Sequence, residues 1–203
     1  MRMLKIAGFG FSVAVMMAAV GGLSLPSRWH TERSVVVQAT PATLYPLISS
    51  FRHGWVDWSP FGSPAEAGLA IVFSGPDQGV GATESWTGGN TPPGRLRIVR
   101  ADPATGIAYQ LEERDRSRVE GALTFANDPA GTRVTWTDDG DLGRNPFKHY
   151  VGKQIEEMIG KGFDQGLAAL KKKAEARTVK AEASSTLRSS APPPRAAAQD
   201  PLR

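Results

Sequence analysis

Between residues 94 and 138 apolar and polar side chains alternate with a period of two. "GRLRIVRA" sets Leu96 and Ile98 against Arg95 and Arg97, and "GIAYQLEER" sets Ile107, Tyr109 and Leu111 against Gln110 and Glu112. "VEGALTF" continues with Val119, Leu123 and Phe125 against Glu120 and Thr124, and "TRVTWTD" with Val134 and Trp136 against Arg133, Thr135 and Thr137. Successive side chains of a strand point to opposite faces, so the pattern predicts an antiparallel sheet with one apolar and one wet face. Strands are predicted over 69–74, 81–88, 94–101, 106–114, 117–126 and 131–138, separated by Gly, Pro, Asn and Asp. An earlier strand, "RSVVVQA" (33–39), leads into a helix over 40–51 with Thr40 as N-cap and Pro41 in its first turn; Pro46 is expected to kink or split it.

The period then changes. In "NPFKHYVGKQIEEMIGKGFDQGLAALKKKAEA" the residues Phe147, Tyr150, Val151, Ile155, Met158, Ile159, Phe163, Leu167 and Leu170 recur at helical spacing, with Asn145 as N-cap and Pro146 in the first turn. This helix is the expected cover for the apolar face of the sheet. Gly152, Gly160, Gly162 and Gly166 lower its helix propensity and predict a bend around Gly160–Gly162. They also leave room where the helix approaches the sheet or a ligand.

The ends differ from this middle. After Arg2 and Lys5 an uncharged run extends from Ile6 to Leu25. Twenty helical residues rise about 30 Å, enough to cross the hydrocarbon core of a bilayer. Residues 1–26 are therefore read as an N-terminal transmembrane anchor with its span over 3–25; a cleaved signal peptide is the competing reading. The Lys/Arg distribution around the span favours an outer, periplasmic or extracytoplasmic position for the domain, which would be secreted or periplasmic if the segment were cleaved. At the other end 178–203 is rich in Ala, Ser, Pro and Arg without an aromatic residue, the composition of a disordered tail. One domain over 27–177 remains.

Charge placement removes one class of partner. The whole chain carries +4, but residues 27–170 hold fourteen Lys/Arg against seventeen Asp/Glu. The basicity lies at the ends, so the folded part has no electrostatic footprint for nucleic acid. The chain contains no cysteine, which excludes disulfides, Cys-ligated metals and thiol nucleophiles.

One strand, a helical insertion, six antiparallel strands and a long final helix are the order of the α+β helix-grip, or START-like, fold. The segments "ERSVVVQATPATLYPLI", "WVDWSPF", "FSGPDQGVGATESWTG", "GTRVTWTDDGD" and "KGFDQGLAALKK" resemble the SRPBCC superfamily, specifically its polyketide cyclase/dehydratase and lipid-transport family and a short membrane-anchored bacterial branch of it. The resemblance covers about residues 32–173. It implies a curved sheet wrapped around the last helix, with a cavity between them that binds hydrophobic molecules in many members. It does not imply one reaction, because the superfamily includes carriers, binders and cyclases.

Candidate chemistry is sparse. An acid or base would come from His53, Asp57, Glu84, Tyr109, Glu112 or His149. Glu84 shares strand parity with Trp86 and points toward the core if Trp86 does, where burial would raise its pKa. His53 and His149 read as loop and surface residues, and His30 lies beside the anchor. No Ser-His-Asp order, phosphate loop or helical His pair occurs, so no catalytic residue, metal or cofactor is assigned.

The expected ligand surface comprises Trp55, Trp58 and Phe61 at the cavity's edge, Glu84, Trp86, Ile98, Tyr109, Leu111, Leu123, Phe125 and Trp136 on the concave wall, and Met158, Ile159, Phe163 and Leu167 on the helix. Tyr109 and the indoles of Trp86 and Trp136 would donate hydrogen bonds there, and Glu84 would accept. The expected function is a membrane-tethered module that binds a hydrophobic small molecule or lipid. A cyclase/dehydratase-like enzyme and a ligand-free structural or docking module are the alternatives.

Overall fold

The computed structural model describes residues 16–17, 19–61, 68–89, 92–113, 118–143 and 145–189. Seven strands form one antiparallel sheet: β1 (Arg28–Val37), β2 (Leu69–Ser74), β3 (Thr83–Gly88), β4 (Gly94–Asp102), β5 (Gly106–Glu113), β6 (Arg118–Asp128) and β7 (Gly131–Asp141). The order across the sheet is β1-β7-β6-β5-β4-β3-β2, so the first strand closes onto the last. The predicted strands recur within a few residues of their expected ends. β1 starts earlier than its apolar run because it pairs with β7 along its whole length, from Arg28↔Asp141 to Val37↔Thr132.

Helix α1 (Pro41–Ile48) follows β1. The Thr40 hydroxyl accepts from the Thr43 N–H, and the helix runs unbroken through Pro46. Leu44, Leu47 and Ile48 are buried beneath it. The final helical segment is interrupted, but not at the glycine pair. Helix α2 (Pro146–His149), capped by the Asn145 side chain accepting from the Phe147 N–H, ends before Tyr150, and α3 (Gly152–Ser189) then continues past Gly160 and Gly162. The expected bend thus sits about ten residues earlier, where the chain turns from the end of β7 onto the sheet.

α3 lies along the edge strand β1 and blunts it. Thr31 Oγ1 donates to the Glu156 carbonyl (3.4 Å), Lys171 Nζ to the Val36 carbonyl (2.9 Å), and the Gln38 N–H to Glu175 Oε1 (3.0 Å). An open edge would otherwise present unpaired backbone groups to other chains. The helix extends to Ser189, past the boundary at 177 where composition predicts the tail to begin. Residues 190–203 lie outside the described residues. So does most of the expected span over 3–25, and among the described residues no helix is long and apolar enough to cross a membrane.

The inward residues of α3 are Phe163, Leu167, Leu170 and Ala174, all buried against Ile98, Ile107, Leu123, Val134 and Trp136 of the sheet. Phe147, Tyr150, Val151 and Met158, which the helical spacing assigns to the same face, are exposed instead. The non-helical link at Tyr150–Val151 takes Phe147 out of phase with α3, while Met158, five residues before Phe163, sits about 140° around α3 from that inward residue.

Candidate functional site

The chain after α1 turns back through a short 3-10 turn, Trp55–Asp57, and lays its aromatic side chains on the concave face. The Trp58 indole N–H donates to the Leu47 carbonyl (2.8 Å), which fixes the loop to α1. Asp57 forms an ion pair with Lys173 of α3, fixing the same loop to the helix. Trp55 then packs against Phe51, Trp58, Tyr109 and Trp136, with ring centroids 5.0–5.6 Å apart. Trp136 lies flat on Phe163, centroids 4.1 Å apart and planes within 8°, and the Phe61 ring stands edge-on to both. Such pairs add about 0.5–1.5 kcal/mol each beyond area burial.

A polar chain lies behind this layer. The Trp136 indole N–H donates to Tyr109 Oη (2.7 Å), whose hydroxyl donates to Asp138 Oδ1 (2.6 Å). Burial drives the Asp138 carboxyl up to about 7; the Tyr109 bond opposes this, and the charge of Asp139 adds to it. Burial also pushes the Tyr109 phenol well above its ordinary value, with the neighbouring carboxylate in support. Gly121 makes the arrangement possible, since a Cβ there would collide with Asp138 and the Tyr109 ring. Asp138 is absent from the sequence-derived candidates. Strand parity could have found it, because it lies two residues beyond Trp136, but counting apolar residues passes over an inward carboxylate.

Glu84 is buried as its parity suggests, on β3 opposite Phe73 of β2 and Leu96 of β4. No described residue hydrogen-bonds its carboxyl, and desolvation raises it to about 7. Four inter-strand spacings of ~4.8 Å separate β3 from β7, so Glu84 and Asp138 sit in different parts of the face. Glu112, by contrast, faces outward between Arg95 (2.6 Å) and Arg118 (3.7 Å), and Arg95 holds its carboxyl below the usual range.

The opening on this side is a groove of about 360 Å³ between Pro60–Phe61 and α3, lined also by Gln154, Glu157, Met158, Lys161, Gly162 and Gln165. Phe61 is the aromatic residue of its lining, and the buried Trp136 lies behind that ring. The glycines of α3 do not hold an empty cavity open; they admit side chains. A Cβ on Gly162 would strike the Phe61 ring, one on Gly166 would fall 2.8 Å from Trp136 Cζ3, and one on Gly160 would fall 2.5 Å from the Arg33 guanidinium.

Of the expected ligand surface, the structure gathers Trp55, Trp58, Phe61, Tyr109, Trp136 and Phe163 into one cluster, with Ile98, Leu123, Phe125, Ile159 and Leu167 around it in the core. Leu111 is half-buried. Trp86 lies elsewhere: its indole N–H donates to the Pro92 carbonyl (2.9 Å) and its ring covers Gly94, at a margin of the sheet. Met158 is exposed and meets the groove from the helix's outer side rather than lining an interior wall. His53 is exposed, and exposed His30 pairs with Asp139 at 2.8 Å. Among the described residues no three His, Asp or Glu side chains converge to hold a metal.

His149 is buried, not superficial. Its Nδ1 lies 2.8 Å from the Gly22 carbonyl and its Nε2 2.9 Å from the Gly143 carbonyl. Only the imidazolium can donate to both. These backbone bonds, opposed by desolvation and aided by Asp141, raise its pKa above the ordinary 6.5. The contribution of a raised His pKa is complete below the unfolded value and is lost as pH rises through the folded one. Hydrogen exchange at residues 19–23, normalised to intrinsic rates, is therefore expected to accelerate between pH 6 and pH 9. His149→Gln should abolish that pH dependence, and an unchanged profile would refute the assignment.

The chain matches the family model described as "Polyketide cyclase / dehydrase and lipid transport" over residues 28–175. No curated protein matches it. Among solved structures it is similar to the ZhuI aromatase/cyclase from Streptomyces sp. R1128, at 20% identity and a TM-score of 0.54, covering 74% of this chain and 96% of that one. Protein CV1439 from Chromobacterium violaceum aligns at 18% identity and a TM-score of 0.51, covering 74% and 99%. The di-domain aromatase/cyclase StfQ of the steffimycin biosynthetic pathway aligns at 14% and 0.55, covering 74% of this chain and 52% of that one. At these identities the likeness is one of fold.

Proposed function

Because this chain belongs to the polyketide cyclase/dehydrase and lipid transport family, we propose that it binds a hydrophobic small molecule or lipid in the groove between Phe61 and α3, as a member of a branch held at a membrane by residues 3–25. One observation carries this reading. Phe61 is 54% exposed, yet its ring meets the buried Trp136 edge-on and covers Gly162. A ligand ring or acyl chain that displaces it gains the same apolar contacts. Pockets for such molecules combine apolar walls with polar groups that set orientation; here Pro60, Phe61 and Met158 supply the apolar lining and Gln154, Glu157, Lys161 and Gln165 the polar groups.

The test is a titration with N-phenyl-1-naphthylamine. Phe61→Ala should retain or tighten binding, because the groove deepens. Gly162→Leu should weaken it at least ~10-fold, about 1.4 kcal/mol, by occupying the floor. A folded Gly162→Leu protein with unchanged affinity would place the ligand elsewhere.

The hydrogen-bonded Asp138–Tyr109 pair supports a second reading, a cyclase-like acid/base site. A carboxyl that titrates near 7 suits proton transfer at neutral pH. It lies behind Trp55 and Trp136, however, so a substrate would have to pass the aromatic layer. Loss of turnover in Asp138→Asn without loss of probe binding would favour this reading over the carrier.

A further inference from the structure

The exposed apolar residues are not scattered. Phe147 of α2, Val151 of the link and Met158 of α3 are all solvent-facing, and Phe61 follows across Gly162. The Val151 carbonyl accepts from the Ile155 N–H (3.0 Å), so the helical bonding of α3 starts at Val151, and Met158, seven residues and two turns on, shares its face. That face continues into the groove, which Met158 and Gly162 line. An apolar stripe thus runs from the end of the domain to the mouth of the proposed binding site.

The N-terminal segment arrives at the same end. The Gly22 carbonyl is held by His149, a Cβ on Gly22 would strike Pro146, and one on Gly21 would fall 2.6 Å from Tyr150 Oη. Met16, Met17, Val20 and Leu23 there are also exposed. The uncharged run Ile6–Leu25 is therefore fastened to α2 at its C-terminal end. If that run spans a bilayer, α2 and the first turns of α3 lie at the bilayer surface.

We propose that the α2–α3 junction, through Phe147, Val151 and Met158, inserts into the interfacial layer of the bilayer, so that the groove at Phe61 opens toward lipid and draws its ligand from the membrane. The proposal rests on the groove reading for the identity of the cargo, but not for the docking itself. Interfacial helices bury their apolar face about 5–10 Å into the headgroup and acyl boundary. The two turns from Val151 to Met158 span ~10 Å, so the stripe fits that depth even if the helix stands upright. Lys148, Lys153 and Lys161 are offset by Glu156, Glu157 and Asp164, so insertion should not require anionic lipid.

The chain has no cysteine, which allows single labels. The full chain carrying Val151→Cys, Met158→Cys or, on edge strand β2, Val72→Cys would be labelled with nitrobenzoxadiazole and reconstituted into phosphatidylcholine vesicles. Labels at 151 and 158 should shift to the blue and be quenched severalfold more by nitroxide-bearing acyl chains than the label at 72, which should respond to aqueous iodide. Phe147→Asp should return the label at 158 toward the aqueous response. Equal iodide access at all three positions, or failure of the full chain to associate with vesicles, would overturn the proposal. No ligand takes part, so a groove that fails to bind probe leaves this result unaffected.

Discussion

At pH 8 the Glu84→Gln protein is expected to be more stable than the parent by up to about 3 kcal/mol, and at pH 4 the two should coincide. Glu84 is 4% exposed and has no hydrogen-bonding partner among the described residues. Desolvation lifts its carboxyl to about 7, so between roughly pH 4.5 and pH 7 the folded state binds more protons than the unfolded state. Stability from this group is then greatest in acid and declines as pH rises through that window, opposite in sign to an ion-paired carboxylate. Glutamine removes the charge and keeps the shape. Urea unfolding at both pH values checks the sign as well as the size. Probe affinity should not change, because β3 lies far from the groove; a gain of stability at pH 4 as large as at pH 8 would remove desolvation as the cause.

The largest loss is expected from Trp136→Ala. Its ring is 1% exposed, stacked on Phe163, and in contact with Trp55, Trp58 and Phe61, so truncation leaves a cavity in the densest part of the core. Such deletions cost about 3–5 kcal/mol. The indole N–H that donates to Tyr109 is lost as well. Trp136→Phe should recover most of the packing term but not the hydrogen bond. A midpoint shift at constant urea m-value is the readout, and a cost below ~1 kcal/mol would mean that the aromatic layer is not the core described.

The sheet was legible because its inner residues are apolar and its outer ones charged, so alternation alone placed Ile98, Tyr109, Leu123 and Trp136 inward, as found. Three features were not legible for reasons the structure makes plain. Asp138 keeps inward parity while breaking the apolar code, and it is tolerated because the Tyr109 hydroxyl meets it. Trp86 obeys parity but lies at a margin, against Gly94 and Pro92. The helical pattern from Phe147 to Leu170 reads as one face, yet the break at Tyr150–Val151 takes Phe147 out of phase and Met158 falls off the inward side of α3. The glycines of α3 carried the same ambiguity. A missing Cβ signals close approach, but only the fold says that the neighbours are Phe61, Trp136 and Arg33 rather than empty space.

Five tryptophans give five indole N–H resonances, a direct view of the proposed groove. On titration with N-phenyl-1-naphthylamine or a long-chain acyl probe, displacement of Phe61 should move the Trp136 signal most and Trp58 beside it, together with the Met158 methyl. Trp86 and Trp29, in other parts of the sheet, should stay in place. An indole spectrum unchanged at saturating probe, or one in which only Trp86 moves, would contradict ligand binding at the Phe61–Trp136 contact.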